Sequence, residues 1–246
     1  MDRLIYTAMS GAKQIMEQQS TTAHNLANVS TTGFRAQMDT FRAVPVVSNG
    51  LPTRTFVVDS TIGTDFRAGP IQQTGRTLDL AVQGPGWLAV ERADGTEGYT
   101  RSGSLKINEN GVLQTEGGLN VLADGGPITI PPNVKISFAK DGTISSVDSG
   151  TTPGATIEIA RLKLVNPDVG NLERGSDGIF VTKDRLPADV DANVGVISGA
   201  IEGSNVNVVD AMVNMISLAR QFELNMKMLK DADSNAAKAD QFLALS

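Results

Sequence analysis

The stretch 204–246 reads SNVNVVDAMVNMISLARQFELNMKMLKDADSNAAKADQFLALS and contains neither glycine nor proline, the residue types that helix interiors exclude. Alternating steps of three and four, the spacing of a heptad seam, separate Met212, Met215, Ala219, Phe222, Met226 and Leu229. The stretch predicts one long helix, capped near Ser204 or Asn205, with a seam for a partner helix. The methionines of this seam, together with Met228, suit either an adaptable binding face or the filling of core gaps.

The first 44 residues have a similar composition, with glycine only at positions 11 and 33 and no proline. One stripe with helical spacing consists of Ile5, Ala8, Ala12, Ile15, Gln19, Thr22 and Leu26. Small side chains dominate this stripe, so another helix can approach closely, but an isolated helix gains little stability from it. The helix is predicted to end near residues 30–33, where Gly33 accepts a left-handed conformation.

Between these ends, short segments alternate in steps of two, as β-strands do, and are separated by Asp-Gly and Asn-Gly pairs typical of hairpin turns. The predicted strands are 77–83, 87–91, 104–108, 134–138, 156–165 and 178–182. Residues 35–76 contain three prolines and are predicted to form an extended connector, in which the apolar pieces 44–47 and 56–58 are able to pair. The middle of the chain therefore predicts an antiparallel, hairpin-rich sheet.

These patterns together predict an α+β fold, in which N- and C-terminal helices form a coiled-coil-like α domain and an antiparallel β-rich domain is inserted between them. The predicted boundaries are 1–34 for the N-terminal helix, 35–76 for the connector, 77–198 for the β-rich domain and 199–246 for the C-terminal helix. Each terminal helix is expected to complete its burial against the other and against further subunits.

Composition argues against several classes of function. The formal net charge is −6, and the lysines and arginines are scattered, unlike the basic stripe of a nucleic-acid-binding protein. The ends 1–42 and 204–246 together carry no net charge, so they can approach other copies without strong repulsion. The chain has no cysteine, no apolar run long enough to span a membrane and no signal-peptide pattern at its start. A location outside the cytoplasm would therefore require an export route without a cleaved signal.

Few residues are candidates for chemistry. The single histidine, His24, has no acidic or imidazole partner three or four positions away, which argues against a metal or general-base role. Most carboxylates of the middle fall in predicted turns, so Asp79 is the residue on which a wall-modifying hydrolase would depend. We predict no enzyme activity, no metal, no cofactor and no small-molecule substrate. A secreted β-rich binding protein is the other alternative.

Several blocks of sequence occur in a distinctive order. AHNLANVSTTGF (23–34) stands near the start; LDLAVQGPGWLAV (78–90), YTRSGSL (99–105) and NGVLQTEGG (110–118) lie in the middle; GAIEGSNV (199–206) and RQFE (220–223) lie near the end. These blocks, in this order, resemble flagellar rod and hook proteins. The short middle is unlike that of the hook protein, and the opening MDRLIYTAMSGA is most similar to proximal rod subunits, with distal rod subunits as the alternative.

The resemblance implies a structural subunit, exported from the cytoplasm by the flagellar type III apparatus and polymerised into the rod of the basal body. The implied partners are copies of itself and other rod proteins. The predicted assembly interface combines the two helical stripes with four residues of the resembling motifs. Its members are Ile5, Ala8, Ala12, Ile15, Gln19, Thr22, Asn25, Leu26, Asn28, Gly33, Asn205, Met212, Met215, Ala219, Phe222, Met226 and Leu229. We expect the chain ends to gain their order on assembly.

Overall fold

A computed structural model describes residues 2–45, 55–132, 134–148 and 156–244. Its helices are α1, Asp2–Ala27, and α2, Val208–Ala244. The strands of the described part are β1 Gln37–Pro45, β2 Thr55–Thr64, β3 Ile71–Gln73, β4 Leu80–Gln83, β5 Trp87–Glu91, β6 Glu97–Thr100, β7 Leu105–Ile107, β8 Leu113–Thr115, β9 Asn120–Ala123, β10 Gly126–Pro127, β11 Val134–Phe138, β12 Thr143–Asp148, β13 Thr156–Arg161, β14 Leu164–Val165, β15 Leu172–Arg174, β16 Phe180–Thr182, β17 Gly195–Ser198 and β18 Ala200–Glu202. A short 3-10 helix, Val169–Asn171, precedes β15.

The chain divides into two compact units. The helical unit comprises the spans 1–29, 36–65 and 206–246, and the β-rich unit comprises 30–35 and 66–205. The α+β class predicted from the sequence is confirmed. The predicted helix bounds were too wide, because α1 ends at Ala27 and residues 200–202 form β18.

The start of α2 also differs from the prediction. Asn207 Oδ1 accepts hydrogen bonds from Val209 N at 3.0 Å and from Asp210 N at 3.4 Å. Asn207, rather than Ser204 or Asn205, therefore caps the helix, because its side chain occupies the position from which it can reach the free N–H groups of the first turn.

In the helical unit, α1 packs against α2, and β1 pairs with β2 as an antiparallel hairpin. The hairpin lies in the region predicted as an extended connector. Its register joins Val44 to Phe56, as the sequence suggested, and is interrupted between Thr40 and Phe41 by a bulge or irregularity. Val46 and Val47, the remaining residues of the predicted pairing segment, lie outside the described residues.

In the β-rich unit the largest sheet has the order β15-β16-β6-β5-β9-β8-β7, with β10 on β9 and β14 on β5. A three-stranded sheet, β11-β12-β13, and the pairs β17-β4 and β18-β3 complete the described strands of this unit. β5 and β11 coincide with predicted strands. The predicted strand 156–165 splits, because β13 pairs with β12 whereas β14 pairs with β5.

β5 lies between two clusters of buried side chains. Leu88 belongs to a cluster with Leu80, Leu105 and Leu113, among others. Its neighbours Trp87 and Ala89 point to the opposite face, as alternation along a strand requires, and pack with Tyr99, Val165, Leu172 and Phe180. Both faces of β5 are therefore buried.

Candidate functional site

The α1 stripe predicted from the sequence is the buried face of that helix. Ala8, Ala12 and Ile15 are each at most 8% exposed. The half-buried members of the stripe are Ile5, Gln19, Thr22 and Leu26. Beside them, a β-carbon placed on Gly11 would lie 3.6 Å from Asn225 Oδ1 of α2. α1 thus meets α2 through mostly small side chains, as the sequence indicated.

The inner row of α2 differs from the predicted seam. The buried and half-buried residues that follow four-three spacing are Ala211, Met215, Leu218, Phe222, Asn225, Leu229 and Ala232. Met215, Phe222 and Leu229 were predicted, and the predicted Ala219 is half-buried. Met212 and Met226 were also assigned to the seam, but they remain 49% and 47% exposed. The difference arises because small or polar residues, Ala211 and Asn225, occupy the inner positions that hydrophobicity alone gives to the neighbouring methionines.

Asn25 joins the end of α1 to the start of β1. Its Nδ2 donates to Gln37 O at 2.8 Å, and Gln37 N donates to Asn25 Oδ1 at 2.8 Å. Nearby, Thr21 Oγ1 donates to Asp39 Oδ1 at 2.7 Å. Asn28 Nδ2 donates to the carbonyl oxygen of His24 at 2.9 Å, and the backbone N–H of Asn28 donates to the same oxygen at 3.2 Å. Both asparagines therefore have roles within the helical unit.

Gly33 and Asn205 lie in the β-rich unit and hold its two outer chain segments together. Gly33 has φ +68°, its N–H donates to Glu202 O at 2.8 Å, and a β-carbon there would lie 2.3 Å from Arg101 C. Asn205 N donates to Phe34 O at 3.3 Å, and its Nδ2 donates to Arg67 O at 3.0 Å. These contacts require glycine at position 33, and they give the side chain of Asn205 a structural role.

Two arginines share one carboxylate inside the β-rich unit. Arg35 Nη2 lies 2.7 Å from Glu202 Oε1, and Arg101 Nη1 lies 3.0 Å from Glu202 Oε2. The side chains of all three residues are at most 6% exposed. Burial lowers the pKa of Arg101, against the opposing effect of the Glu202 carboxylate. We refer to these three residues as the Arg-Glu-Arg network.

Further contacts connect the Arg-Glu-Arg network to its surroundings. Gly69 N donates to Glu202 Oε1 at 2.9 Å, and both guanidinium groups lie over the ring of Trp87, at 5.9 and 5.5 Å from its centroid. Arg35, Gly69 and Glu202 stand close to the points at which the chain leaves the β-rich unit. The network therefore fixes these segments relative to one another.

Each helix carries a second apolar row that was not predicted from the sequence. On α1 the outward row, Tyr6, Met9 and Met16, is 54–59% exposed. On α2 the outward row, Val209, Val213, Ile216 and Leu224, is 56–69% exposed. In the sequence the rows are offset from the inner ones, with steps of 3 and 7 on α1 and of 4, 3 and 8 on α2, and Lys13 and Arg220 stand at the skipped positions. Apolar rows that stay exposed on a helix are typical of surfaces that other chains cover.

The carboxylate of Asp79 is held by three neighbouring polar side chains. Thr74 Oγ1 donates to its Oδ2 at 2.7 Å, Ser104 Oγ donates to its Oδ1 at 3.4 Å, and Arg76 Nη1 lies 3.6 Å from Oδ1. These contacts hold the carboxylate between β4 and the segment before β7. Within the described residues, no cluster of histidine, aspartate and glutamate is arranged to bind a metal ion. Over the same ranges, neither helix has an apolar stretch sufficient to span a membrane.

Three segments of the chain match families of known proteins. Residues 5–35 match the family described as Flagella basal body rod protein, residues 81–146 match the Flagellar hook protein FlgE/F/G D1 domain, and residues 197–242 match the Flagellar basal body rod FlgEFG protein C-terminal. The chain is 47% identical to the flagellar basal-body rod protein FlgF of Escherichia coli (strain K12), with all of both chains covered. It belongs to the flagellar basal-body rod protein family.

Other members of the family are also similar to this rod protein. The FlgF protein of Salmonella typhimurium is 44% identical, again with both chains fully covered. The flagellar basal-body rod protein FlgG of Bacillus subtilis (strain 168) is 32% identical, over 95% of this chain and 96% of the relative. The two terminal matches contain most of α1 and of α2, together with the Gly33 turn and Glu202. The three family segments thus include the inner rows, the outward rows and all three residues of the Arg-Glu-Arg network.

Proposed function

We propose that this rod protein is a structural subunit of the proximal flagellar rod and joins neighbouring subunits through the outward rows of α1 and α2. The observation that carries the proposal is the exposure of these apolar rows, 54–69% for their seven residues. Burial of such side chains stabilises association by about 25 cal/mol per Å² of apolar surface removed from water. The work of the subunit is mechanical, and no catalytic step is involved.

The assignment of the chain to the proximal part of the rod is based on its sequence identity with FlgF and FlgG proteins. Identity is 47% and 44% with two FlgF proteins, whereas three further FlgF proteins, at 27–33%, lie in the same range as three FlgG proteins, at 29–32%. A distal rod subunit would be expected to show the opposite order. Partners in this proposal are copies of the same chain and the other proteins of the rod.

The predicted interface residues divide into two groups in this proposal. The inner-row residues, such as Ala12 and Phe222, hold α1 and α2 together as a coiled-coil-like pair, and Asn25 and Gly33 fix the adjoining chain segments. Met212 and Met226 face neighbouring subunits, because they are about half exposed beside the inner row. Assembly would then bury both sides of each helix.

In this proposal, export of the subunit depends on the low stability of its terminal helices before assembly. The subunit leaves the cytoplasm through the flagellar type III apparatus, and its ends become fully stable only among neighbours. The small residues of the α1 inner row, including Ala8 and Ala12, support this idea because they bury little apolar surface per helical turn. A marginally stable helical pair can be unfolded for transport and also avoids early polymerisation.

A pair of matched substitutions tests the proposed function. Leu224 on α2 and Leu186 in the β-rich unit are both 65% exposed, so an aspartate at either position should leave the subunit folded. Leu224→Asp should abolish rod assembly and swimming in the bacterium that encodes the chain, because it places a charge in the outward row. Leu186→Asp should leave both unchanged. Normal basal bodies in the Leu224→Asp strain would refute the proposal.

A further inference from the structure

The methionines of the chain are distributed unevenly. All eight fall in the spans of the helical unit, and none falls in the β-rich unit. The five on the described helices that are most exposed are Met9 54%, Met16 58%, Met212 49%, Met226 47% and Met228 47%. We call these five residues the methionine set. These exposed positions of the helical unit therefore carry thioethers, although leucine or isoleucine at the same positions would bury a similar apolar area on assembly.

A thioether differs from other apolar side chains in its chemistry. A peroxide can oxidise it to a sulfoxide, which is polar and strongly hydrated, and sulfoxide reductases can reverse the change. Competing targets in this chain are few, because it has no cysteine and its one tryptophan, Trp87, is 4% exposed. A peroxide acting on the free subunit would therefore react mainly with methionines, and those of the set are the most accessible on the helices.

We propose that the methionine set is an oxidation-sensitive modification site that controls whether the free subunit can assemble. In the reaction the sulfur lone pair attacks one oxygen of hydrogen peroxide, and the O–O bond breaks. Sulfur is oxidised by two electrons to the sulfoxide, and the second oxygen leaves as water after proton transfer. The inference rests on the proposed function, because it requires the helices to be the assembly surface.

The consequence for assembly follows from the position of these side chains. Met9 and Met16 belong to the outward row of α1, while Met212 and Met226 adjoin the inner row of α2. A sulfoxide buried there against apolar side chains loses its hydration without gaining a hydrogen-bond donor, which opposes association. One such group should reduce assembly about tenfold, and several should reduce it further. Subunits already in the rod should be protected, because their methionines are covered.

The first experiment measures the order of oxidation in the purified full chain. Hydrogen peroxide is added, and the sulfoxide at each methionine is followed by peptide mass spectrometry. The five members of the set should be modified several-fold faster than Met215, which lies in the inner row of the same helix and is half-buried. Equal rates at Met215 and in the set would overturn the proposal, because accessibility would not select the site.

The second experiment measures assembly in the bacterium that encodes the chain. Expression of the subunit is induced in the presence or absence of a hydrogen peroxide pulse, and new basal bodies that contain it are counted. Peroxide should reduce their number about tenfold for the wild-type chain and much less for the variant M9L/M16L/M212L/M226L/M228L. Met38→Leu, which removes an exposed methionine of β1, should behave as wild type.

A further arm of this experiment needs no substitution. Additional methionine sulfoxide reductase should restore assembly of the wild-type subunit after the pulse. An equal loss in the wild type and the five-leucine variant, or no rescue by the reductase, would overturn the proposal. Absence of the untreated wild-type subunit from purified rods would contradict the proposed function instead, and the mass-spectrometric order would still test the selectivity of the site.

Discussion

At the scale of single residues, Glu202 neutralises only one of the two positive charges that face it. Arg35, Arg101 and Glu202 are each nearly inaccessible to water, so their mutual attraction is not screened as it would be at the surface. Buried ion pairs add little net stability compared with well-packed apolar residues, but loss of one partner leaves an uncompensated charge. The network therefore serves to fix one arrangement of the segments around residues 35, 69 and 202.

Replacement of Glu202 by glutamine tests this role. Glu202→Gln should lower the free energy of unfolding of the β-rich unit by about 3–5 kcal/mol, because both arginines lose their counter-charge. Urea unfolding can be followed by the fluorescence of Trp87, the only tryptophan, which lies beside both guanidinium groups. Asp94→Asn is the control: Asp94 pairs with Arg92 at the surface with its side chain 54% exposed, so its loss should leave the free energy of unfolding nearly unchanged. Equal losses in the free energy of unfolding for both variants would show that the network contributes no more to stability than a surface ion pair.

Gly33 is constrained both by its conformation and by its surroundings. Gly33→Ala should destabilise the β-rich unit by about 3 kcal/mol or more, because its φ is +68° and the new β-carbon would overlap the backbone of Arg101. Gly75→Ala is matched in conformation, with φ +72°, but nothing lies within 4 Å of its β-carbon, so about 1–2 kcal/mol is expected. The difference, measured by urea unfolding, isolates the steric contribution. Equal losses would mean that the chain near Arg101 can move aside.

At the scale of elements, α1 contains a glycine, Gly11, beside which there is room for a methyl group. Gly11→Ala should stabilise the helical unit by about 0.5–1 kcal/mol, because glycine in a helix interior is unfavourable and the nearest atom to the new methyl group is 3.6 Å away. Circular dichroism at 222 nm during thermal unfolding measures this change. A lower melting temperature for the variant would indicate that α1 and α2 leave no room for a methyl group at this point.

The helices and strands differ in how well they could be predicted from the sequence. The α1 stripe and the strands β5 and β11 were predicted because each element alternates or repeats with one dominant period. The predicted α2 seam was displaced by one residue from the inner row at Met212 and Met226, since Ala211 and Asn225 occupy the inner positions although they are less hydrophobic. Contacts decide which of two neighbouring rows is buried, and periodicity alone contains no information about the partner helix.

At the scale of the whole molecule, the α+β class and helices at both chain ends could be predicted from where glycine and proline occur. The Arg-Glu-Arg network could not, because Arg35, Arg101 and Glu202 are far apart in sequence, and the blocks that contain Arg101 (99–105) and Glu202 (199–206) do not indicate an ion pair. The outward rows were overlooked for a different reason. Each outward row is interrupted by a basic residue, Lys13 on α1 and Arg220 on α2, so its repeat is weaker than that of the inner row. Apolar residues on several sides of a helix nevertheless indicate burial among several neighbours.

The central claim is that the outward rows are covered by other subunits in the rod. Because the chain has no cysteine, Leu224→Cys and Leu186→Cys each introduce a single thiol at a position that is 65% exposed in the free subunit. The decisive measurement is the rate at which a maleimide labels each variant, in the purified subunit and in isolated basal bodies. Assembly should slow the labelling of Leu224→Cys about tenfold or more and leave Leu186→Cys unchanged. Labelling of Leu224→Cys at the same rate in both states would contradict the account.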